Sequence, residues 1–323
     1  MKPTTANVTA KRSLWHGIRE QKSLIALLIL IAVVATQSSN FFTLANLFNI
    51  LQQTSVNAIM AVGMTLVILA AGIDLSVGSL LAFTGALVAS LIGHEINALL
   101  AVAAALVAGG LIGGVTGMVI AWGKVQAFIA TLVMMLLLRG ATMVFTDGSP
   151  ISTGFSDNSD HFSLIGIGQL AGVPVPVWIM AIVFMAAWYL LNHTRLGRYI
   201  YALGGNEAAT RLSGISVTRI KITVYALCGA LAALAGTIEV ARLSSAQPTA
   251  GTGYELDAIA AVVLGGCSLS GGRGRITGTL IGALILGFLN NGLNLMGVSS
   301  YFQMIAKAIV ILLAVLADNK SHQ

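Results

Sequence analysis

Neutral amide side chains recur at helical spacing inside two strongly apolar stretches of the sequence. Four amides in the first stretch are three, four and four residues apart, which places them on one face of a helix: Asn46, Asn49, Gln53 and Asn57. In the second stretch Asn290 and Asn294 share a face, with Asn291 beside them. Amides offer hydrogen-bond donors and acceptors without net charge, so they suit a neutral polyhydroxylated solute.

Amides inside apolar segments are costly unless they pair with other groups or face water. This cost leaves two interpretations: the amides line a solute pathway, or they bond neighbouring helices together. For Asn46 a third possibility is that it caps its helix. We predict that Gln53, Asn57, Asn290 and Asn294 line the outer half of a pathway.

The motifs of several enzyme classes are missing from the sequence. No phosphate-binding loop of the Gly-x-x-x-x-Gly-Lys-[Ser/Thr] type is present, and the glycine-rich stretch GGRGR at 271–275 lacks the required Lys-Ser/Thr. The sequence has no Gly-x-Ser-x-Gly nucleophile elbow, and its five histidines are scattered. The basic residues are spread among short loops, which argues against nucleic acid as a partner. We therefore expect neither an enzyme nor a bound cofactor or metal.

The elements that carry these amides have the composition of a membrane protein. Hydrophobic residues make up 57% of the 323 residues and charged residues only 9%, against roughly 25% charged in soluble domains. We therefore expect membrane lipid around an all-α fold of about ten spanning helices. The predicted spans are 23–38, 46–71, 75–93, 97–121, 126–146, 175–192, 220–241, 256–270, 276–296 and 300–317.

Lys and Arg residues predict the orientation of these spans. If both termini are cytoplasmic, most of the basic residues fall in cytoplasmic segments, as the positive-inside rule requires. This gives a cytoplasmic N-terminal tail at 1–22, a transmembrane domain at 23–317 and a cytoplasmic C-terminal tail at 318–323. Two cations, Arg139 and Lys307, lie inside spans, where we expect snorkelling or pairing with acids such as Glu239 and Asp257.

Two similar glycine-containing strings predict breaks between helices. GIDLSVG at 72–78 and GCSLSGG at 266–272 share the pattern Gly-x-x-Leu-Ser-x-Gly, which indicates either a weak internal repeat or chance. At the first string we place a cytoplasmic turn, with Asp74 capping the next helix. Its key residues are Gly72, Asp74, Ser76 and Gly78. Two stripes of glycine at every fourth position predict close helix packing: Gly109, Gly113 and Gly117, and Gly274, Gly278 and Gly282.

The sequence, with GIDLSVG among its matching strings, resembles the membrane permeases of bacterial ABC sugar importers, and among them most of all those for ribose. The resemblance runs from about Gln21 to Asn319. Its longest strings are NILQQTSVNAIMAVGMTLVI (49–68), VQAFIATLVMMLLLRG (125–140), GRYIYALGGNEAATRLSGI (197–215) and AQPTAGTGYELDAIAAVVLGG (246–266). The resemblance implies a homodimer in the bacterial inner membrane, related to the cobalamin-importer type of permease. It also implies a cytoplasmic ATP-binding cassette subunit and a periplasmic sugar-binding protein as partners.

One element of that family transfers residue by residue. Such permeases dock on the ATPase through a cytoplasmic coupling helix with a Glu-Ala-Ala pattern followed by Gly. Glu207, Ala208, Ala209 and Gly214 fit this pattern, although four residues rather than three separate Ala209 from Gly214. We expect a short helix around Asn206–Ser213 in the basic loop.

Other functions stay open at this point. The same machine could carry xylose, galactose, an autoinducer-type sugar or a branched-chain amino acid. An ion-coupled secondary transporter would need buried carboxylates, and the predicted spans hold few beyond Glu239 and Asp257. A structural membrane scaffold would not need amide stripes.

Overall fold

The computed structural model describes residues 41–319, so the predicted span 23–38, the tail 1–22 and residues 320–323 lie outside the described residues. Twelve helices are present in this part of the chain: α1 Leu44–Leu69, α2 Val77–Gly93, α3 Ala98–Trp122, α4 Ala127–Thr146, α5 Asp157–Ile167, α6 Val175–His193, α7 Arg195–Gly205, α8 Glu207–Leu212, α9 Val217–Leu243, α10 Tyr254–Leu264, α11 Ile276–Leu295 and α12 Ser300–Asn319. Six of them, α1, α3, α4, α6, α9 and α11, are long and apolar enough to cross a membrane.

Four two-residue strands form two small antiparallel ladders between the helices. β1 (Ile151–Ser152) pairs with β4 (Ser245–Ala246), and β2 (Gln169–Leu170) pairs with β3 (Val173–Pro174). The described chain is otherwise mostly helical. The helices observed at the other predicted spans begin and end within a few residues of the predicted bounds. The predicted span 256–270 is the exception, because it extends beyond the end of the observed helix. Its helix ends at Leu264 because Gly265 and Gly266 follow, and Gly266 adopts a φ of 82°.

Helix α9 lies at the centre of the bundle, packed against α3, α1 and α2. The first glycine stripe lies on α3 and allows this helix to approach α9 closely. A Cβ on Gly113 would overlap the carbonyl oxygen of Tyr225, and one on Gly109 would overlap that of Gly229. Gly117 likewise faces the backbone of Ile222. The prediction of close packing along this stripe is therefore confirmed.

The second stripe packs α11 against α10. A Cβ on Gly278 would overlap the carbonyl oxygen of Gly265, and one on Gly282 would overlap that of Ala261. Gly274 differs, because it precedes α11 and faces Cys267 in the preceding loop. Only two members of this predicted stripe are therefore packing positions between helices.

The turns after α1 and α10 are built alike. Each helix ends in a Schellman motif, with a left-handed residue at Ala71 (φ 59°) in the first turn and at Gly266 in the second. Each turn then continues with a side-chain oxygen that accepts from the amide two residues on: Asp74 from Ser76, and Ser268 from Ser270. The two turns also touch, since the amide of Gly272 donates to Leu69 O at 3.0 Å.

This structure corrects the predicted capping role of Asp74. Asp74 Oδ1 accepts from Ser76 N at 2.9 Å and Ser76 Oγ at 2.6 Å, so it closes the turn rather than capping α2. The reason is its position, two residues before the N-cap residue Ser76. The left-handed residue is Ala71, whereas Gly72 is small because Tyr225 lies against it. The turn is also buried beside residues about two helical turns into α9 rather than at the end of the bundle.

Helices α2 and α10 both begin inside the bundle. Gly78, in the first turn of α2, contacts Gly251, which lies just before α10, so closely that a Cβ on either residue would overlap the carbonyl oxygen of the other. The first turn of α10 carries Glu255 and Asp257. The N-terminal ends of the two helices therefore meet away from both ends of the long helices.

Candidate functional site

A polar cavity of about 260 Å³ lies between α1, α9, α10, α11 and α12. It is just below the roughly 300–1,000 Å³ range of small-molecule pockets, which suits a small solute. We call it the amide cavity. Its lining residues are Gln53, Thr54, Asn57, Arg242, Tyr254, Asp257, Ala261, Ala283, Leu286, Gly287, Asn290 and Lys307.

Three of the four predicted pathway residues meet in this cavity. Gln53 and Asn57 reach it from α1 and Asn290 from α11, although 233 residues separate Asn57 from Asn290 in the sequence. The fourth, Asn294, lies one turn further along α11, is exposed, and does not line the cavity. Its role in a pathway stays a prediction.

Several acceptor atoms in the cavity wall have no hydrogen-bond partner among the described residues. They are Thr54 Oγ1, Asn57 Oδ1 and Asn290 Oδ1, all of them buried. Gln53 Nε2 donates to Asn49 Oδ1 at 2.9 Å, within the same helix. Buried polar atoms in folded proteins nearly always have a partner, so this wall is suited to a solute that donates hydrogen bonds.

A neighbouring pair of amides bonds two helices together, which was the alternative interpretation of the amide side chains. Asn46 Nδ2 donates to Asn291 Oδ1 at 3.1 Å, and Asn291 Nδ2 donates back to Asn46 Oδ1 at 3.0 Å. This reciprocal pair joins α1 to α11. Asn46 does not cap its helix, because the N-cap is Thr43, whose side chain accepts from the amide of Asn46.

Charged groups complete the wall of the amide cavity. Lys307 Nζ donates to both oxygens of Asp257, at 2.9 and 3.2 Å, so α12 is tied to α10 by a pair that the sequence had suggested. Arg139 does not bond to the acids proposed for it; its guanidinium donates to Pro248 O at 3.2 Å and Ala250 O at 2.8 Å. It thereby holds the loop that leads into α10.

Sequence reasoning missed Thr54, Arg242 and Tyr254 as cavity residues. Tyr254 Oη donates to Glu239 Oε1 at 3.3 Å, which joins α10 to α9. Thr54 follows Gln53 directly and lies three residues before Asn57, so the amide face itself could have indicated it. Arg242 and Tyr254 belong to segments without an amide stripe, and no local signal marks them.

At the other end of α9, the short helix α8 (Glu207–Leu212) lies where the coupling pattern predicts it. Asn206 caps its start, accepting from Ala209 N at 2.9 Å. Gly214 ends it in a Schellman motif with a φ of 79°, which accounts for glycine at this position. Ala208 and Ala209 are exposed, and Leu212 is 90% exposed. An unpaired apolar surface on a short helix is typical of a protein-binding element.

Glu207 anchors α8 to the bundle. Its carboxylate accepts from Lys221 Nζ on α9 at 2.8 Å and from Arg211 at 2.8 Å within α8. The hydrogen bond from Lys221 is the main cause that lowers the pKa of Glu207 below its ordinary value; Arg211 adds to the effect, and partial burial opposes it. The carboxylate is therefore charged at neutral pH and joins α8 to α9.

A second cavity, of about 740 Å³, lies beside α8, and we call it the basic cavity. It is bounded by the turn after α1, the turn between α3 and α4, α8 and the start of α9. Its charged residues are Lys124, Glu207, Arg211 and Lys221, and Gly72 and Tyr225 also line it. Tyr225 Oη donates to Ile73 O at 3.2 Å. The basic cavity thus connects α8 with the turn after α1.

Comparison with known proteins defines the class of this chain. The sequence model of the family described as "Branched-chain amino acid transport system / permease component" matches residues 46–315. The chain therefore belongs to this family of permease components, and it is a multi-pass membrane protein. No solved structure was found to match it.

Individual relatives match nearly the whole chain. The chain is 76% identical to the ribose import permease protein RbsC of Escherichia coli strain K12, over 99% of this chain and 100% of that one. It is 64% identical to the protein of the same name from Haemophilus influenzae, over 97% of both chains. It is 39% identical to the D-allose transport system permease protein AlsC of E. coli strain K12, over 90% of this chain and 89% of that one.

Proposed function

We propose that this chain is the permease subunit of an ABC importer that carries ribose into the bacterial cytoplasm. The observation that supports it most directly is the amide cavity, whose wall presents buried, unpartnered and uncharged acceptors to a space suited to a small solute. The relatives named for ribose import cover the whole chain at high identity. A neutral solute rich in hydroxyl groups fits both findings.

The pathway in this proposal runs through Gln53, Asn57 and Asn290, with Asn294 one turn away from the cavity along α11. A sugar that leaves a binding protein loses many hydrogen bonds, and the pathway must replace them without retaining the sugar. Each net hydrogen bond contributes only about 0.5–1.5 kcal/mol. A few neutral amides can therefore guide a sugar and still release it.

Energy comes from a separate ATPase subunit in this proposal. Helix α8 docks on it with Ala208, Ala209 and the exposed Leu212, and Gly214 ends the docking helix. Movement of α8 would reach α9 through the Glu207–Lys221 bond and the turn after α1 through Tyr225. The turn residues Gly72, Asp74, Ser76 and Gly78 would then carry this movement towards α10.

The remaining features follow from the same assignment. We propose ten spanning helices with both termini cytoplasmic, tails at 1–22 and 318–323, and a fold related to the cobalamin-importer type. Two copies of the chain would pair in the inner membrane, with a periplasmic sugar-binding protein delivering ribose. The sorting of charge supports this orientation. Lys124, Arg211 and Lys221 gather at one cavity, whereas the other end carries Glu95, whose backbone carbonyl accepts from Asn158 in the acidic first turn of α5.

The test is uptake of radiolabelled ribose in a bacterium whose own ribose permease has been deleted. The chain is expressed there with the matching ATPase and binding protein, and xylose, galactose, allose and leucine are added as unlabelled competitors. We expect ribose uptake that requires the chain and that leucine does not reduce. Absence of ribose uptake by well-expressed protein would refute the proposal, and leucine uptake would favour the branched-chain amino acid alternative.

A further inference from the structure

The amide cavity contains an ion pair that a simple passage for a neutral solute does not require. Asp257 and Lys307 line the cavity and are both largely buried, with 16% and 20% of their side chains exposed. Both oxygens of Asp257 accept from the same Lys307 nitrogen. The carboxylate has capacity for further donors, and the ammonium group has three donors.

The rest of the wall offers both acceptors and donors. Thr54 Oγ1, Asn57 Oδ1 and Asn290 Oδ1 lack partners among the described residues, and the Tyr254 hydroxyl already donates to Glu239. The same three residues also carry donor groups, and the guanidinium of Arg242 adds more donors. A ligand that fits this wall must therefore bring O–H donors for the oxygen atoms and acceptor oxygens for Lys307 and the other donors. Adjacent hydroxyl groups on a small sugar supply both.

Opening the ion pair for such a ligand requires new hydrogen bonds to both charges, because neither charge regains its hydration inside the cavity. Sugar hydroxyls can replace part of the mutual contact, one donating to Asp257 and the next accepting from Lys307. Charge-assisted hydrogen bonds of this kind are stronger than those of the neutral amides.

We propose that the permease itself contains a sugar-binding site in the amide cavity, in which Asp257 and Lys307 bind adjacent hydroxyls of the sugar. This inference rests on the proposed function, since it names the site at which the transported sugar pauses. The site joins four helices: α1 through Thr54 and Asn57, α11 through Asn290, α10 through Asp257 and α12 through Lys307.

The test measures whether sugar occupies the cavity. Leu286→Cys, at an apolar position of the cavity wall that makes no hydrogen bond to sugar in this proposal, is introduced into the full importer in membrane vesicles. Labelling by a small, water-soluble thiol reagent is timed with ribose, leucine or neither. Cys228 and Cys267 are buried, and unsubstituted protein gives their background. We expect saturating ribose to slow labelling at position 286 at least fivefold and leucine to leave it unchanged. Ser299→Cys, exposed between α11 and α12, should label at one rate in all three conditions.

Two further variants test the ion pair. In Leu286→Cys combined with Asp257→Asn, protection by ribose should be lost. Since a lone buried cation can unfold the protein, the second variant replaces both charges, Asp257→Asn with Lys307→Gln, and should lose protection at normal membrane abundance. Protection that persists in this neutral pair would overturn the assignment of these two residues.

The outcomes also separate this inference from the proposed function. Normal ribose uptake by the Leu286→Cys protein without any protection would overturn the binding site and leave the importer function intact. Absence of ribose uptake by the unsubstituted importer would overturn the function itself. Protection by leucine in place of ribose would overturn both.

Discussion

The amide cavity and the region around α8 differ in which groups they leave without partners. In the amide cavity, uncharged acceptors lack partners and the charged pair is mostly buried. Around α8, the charges are paired over short distances and partly exposed, and Leu212 is left exposed instead. In the proposed function, the solute path leaves hydrogen-bonding capacity unused inside the bundle, whereas the docking helix leaves apolar surface uncovered outside it.

The largest expected effect comes from the exposed face of α8. Ala209→Glu places a charge on a small apolar surface that the ATPase would cover, where an unpaired charge is strongly disfavoured. Because Ala209 is exposed, the fold should tolerate the change. We expect ribose uptake and co-purification of the ATPase to fall more than tenfold at unchanged abundance in the membrane, measured by uptake assay and immunoblot.

Leu170→Glu is the matched control. Leu170 is also apolar and exposed, but it lies in β2, at the opposite end of α6 from α7 and α8. We expect uptake by this variant to stay within about twofold of the unsubstituted protein, because surface substitutions away from functional contacts have small effects. Full uptake by Ala209→Glu would remove α8 from the docking surface.

The prediction of intermediate size compares substitutions at two adjacent amides. Asn290→Leu removes an acceptor that has no protein partner, so folding should be unaffected while ribose uptake slows about two- to tenfold, equivalent to one hydrogen bond. Asn291→Leu leaves Asn46 without its partner, which costs about 1–3 kcal/mol of stability. The second variant should therefore lose folded protein in the membrane. Measuring abundance and uptake together for both variants checks this, and equal loss of abundance would argue that Asn290 also serves packing.

The smallest effect concerns the Glu207–Lys221 bond. The folded state lowers the pKa of Glu207, so the bond stabilises the protein above the unfolded-state pKa, and this stability is lost as the pH falls through the folded-state pKa. Because Glu207 is 43% exposed, the effect should stay below about 1 kcal/mol. Glu207→Gln should lower the thermal midpoint slightly at pH 7, and the difference should disappear as the pH falls through the lowered folded-state pKa of Glu207. A difference that grows in acid would contradict this assignment.

Much of the local structure followed from sequence patterns, because helix length, glycine spacing and capping residues act within a few neighbours. The α8 helix with its Asn206 cap and the stripe from Gly109 to Gly117 are examples. Helix α5 lies between the predicted spans 126–146 and 175–192, where we predicted no helix, although the sequence carries the signal of a helix start. Ser156 caps it, and Asp157 and Asp160 lie in its first turn, as is typical of a helix start.

What the sequence could not supply was the choice of partners across the bundle. Asn290 and Asn291 are chemically identical and adjacent, yet one faces a cavity and the other pairs with α1. Their different roles depend on a rotation of 100° around α11 relative to a helix more than 200 residues away. Arg139 shows the same limit, because it bonds to two carbonyl oxygens, which no pattern of charged residues could indicate.

The meeting of α2 and α10 through Gly78 and Gly251 has an electrical consequence. Each helix carries about half a positive elementary charge at its N-terminal end, and here two such ends are held together between the ends of the long helices. The carboxylate of Glu255, in the first turn of α10, lies close to Gly78, so its negative charge opposes the positive charge of the helix ends. An acidic side chain inside a membrane domain is costly unless positive charge lies nearby. The close approach of the two glycines therefore lets two helix ends supply part of that positive charge from the backbone alone.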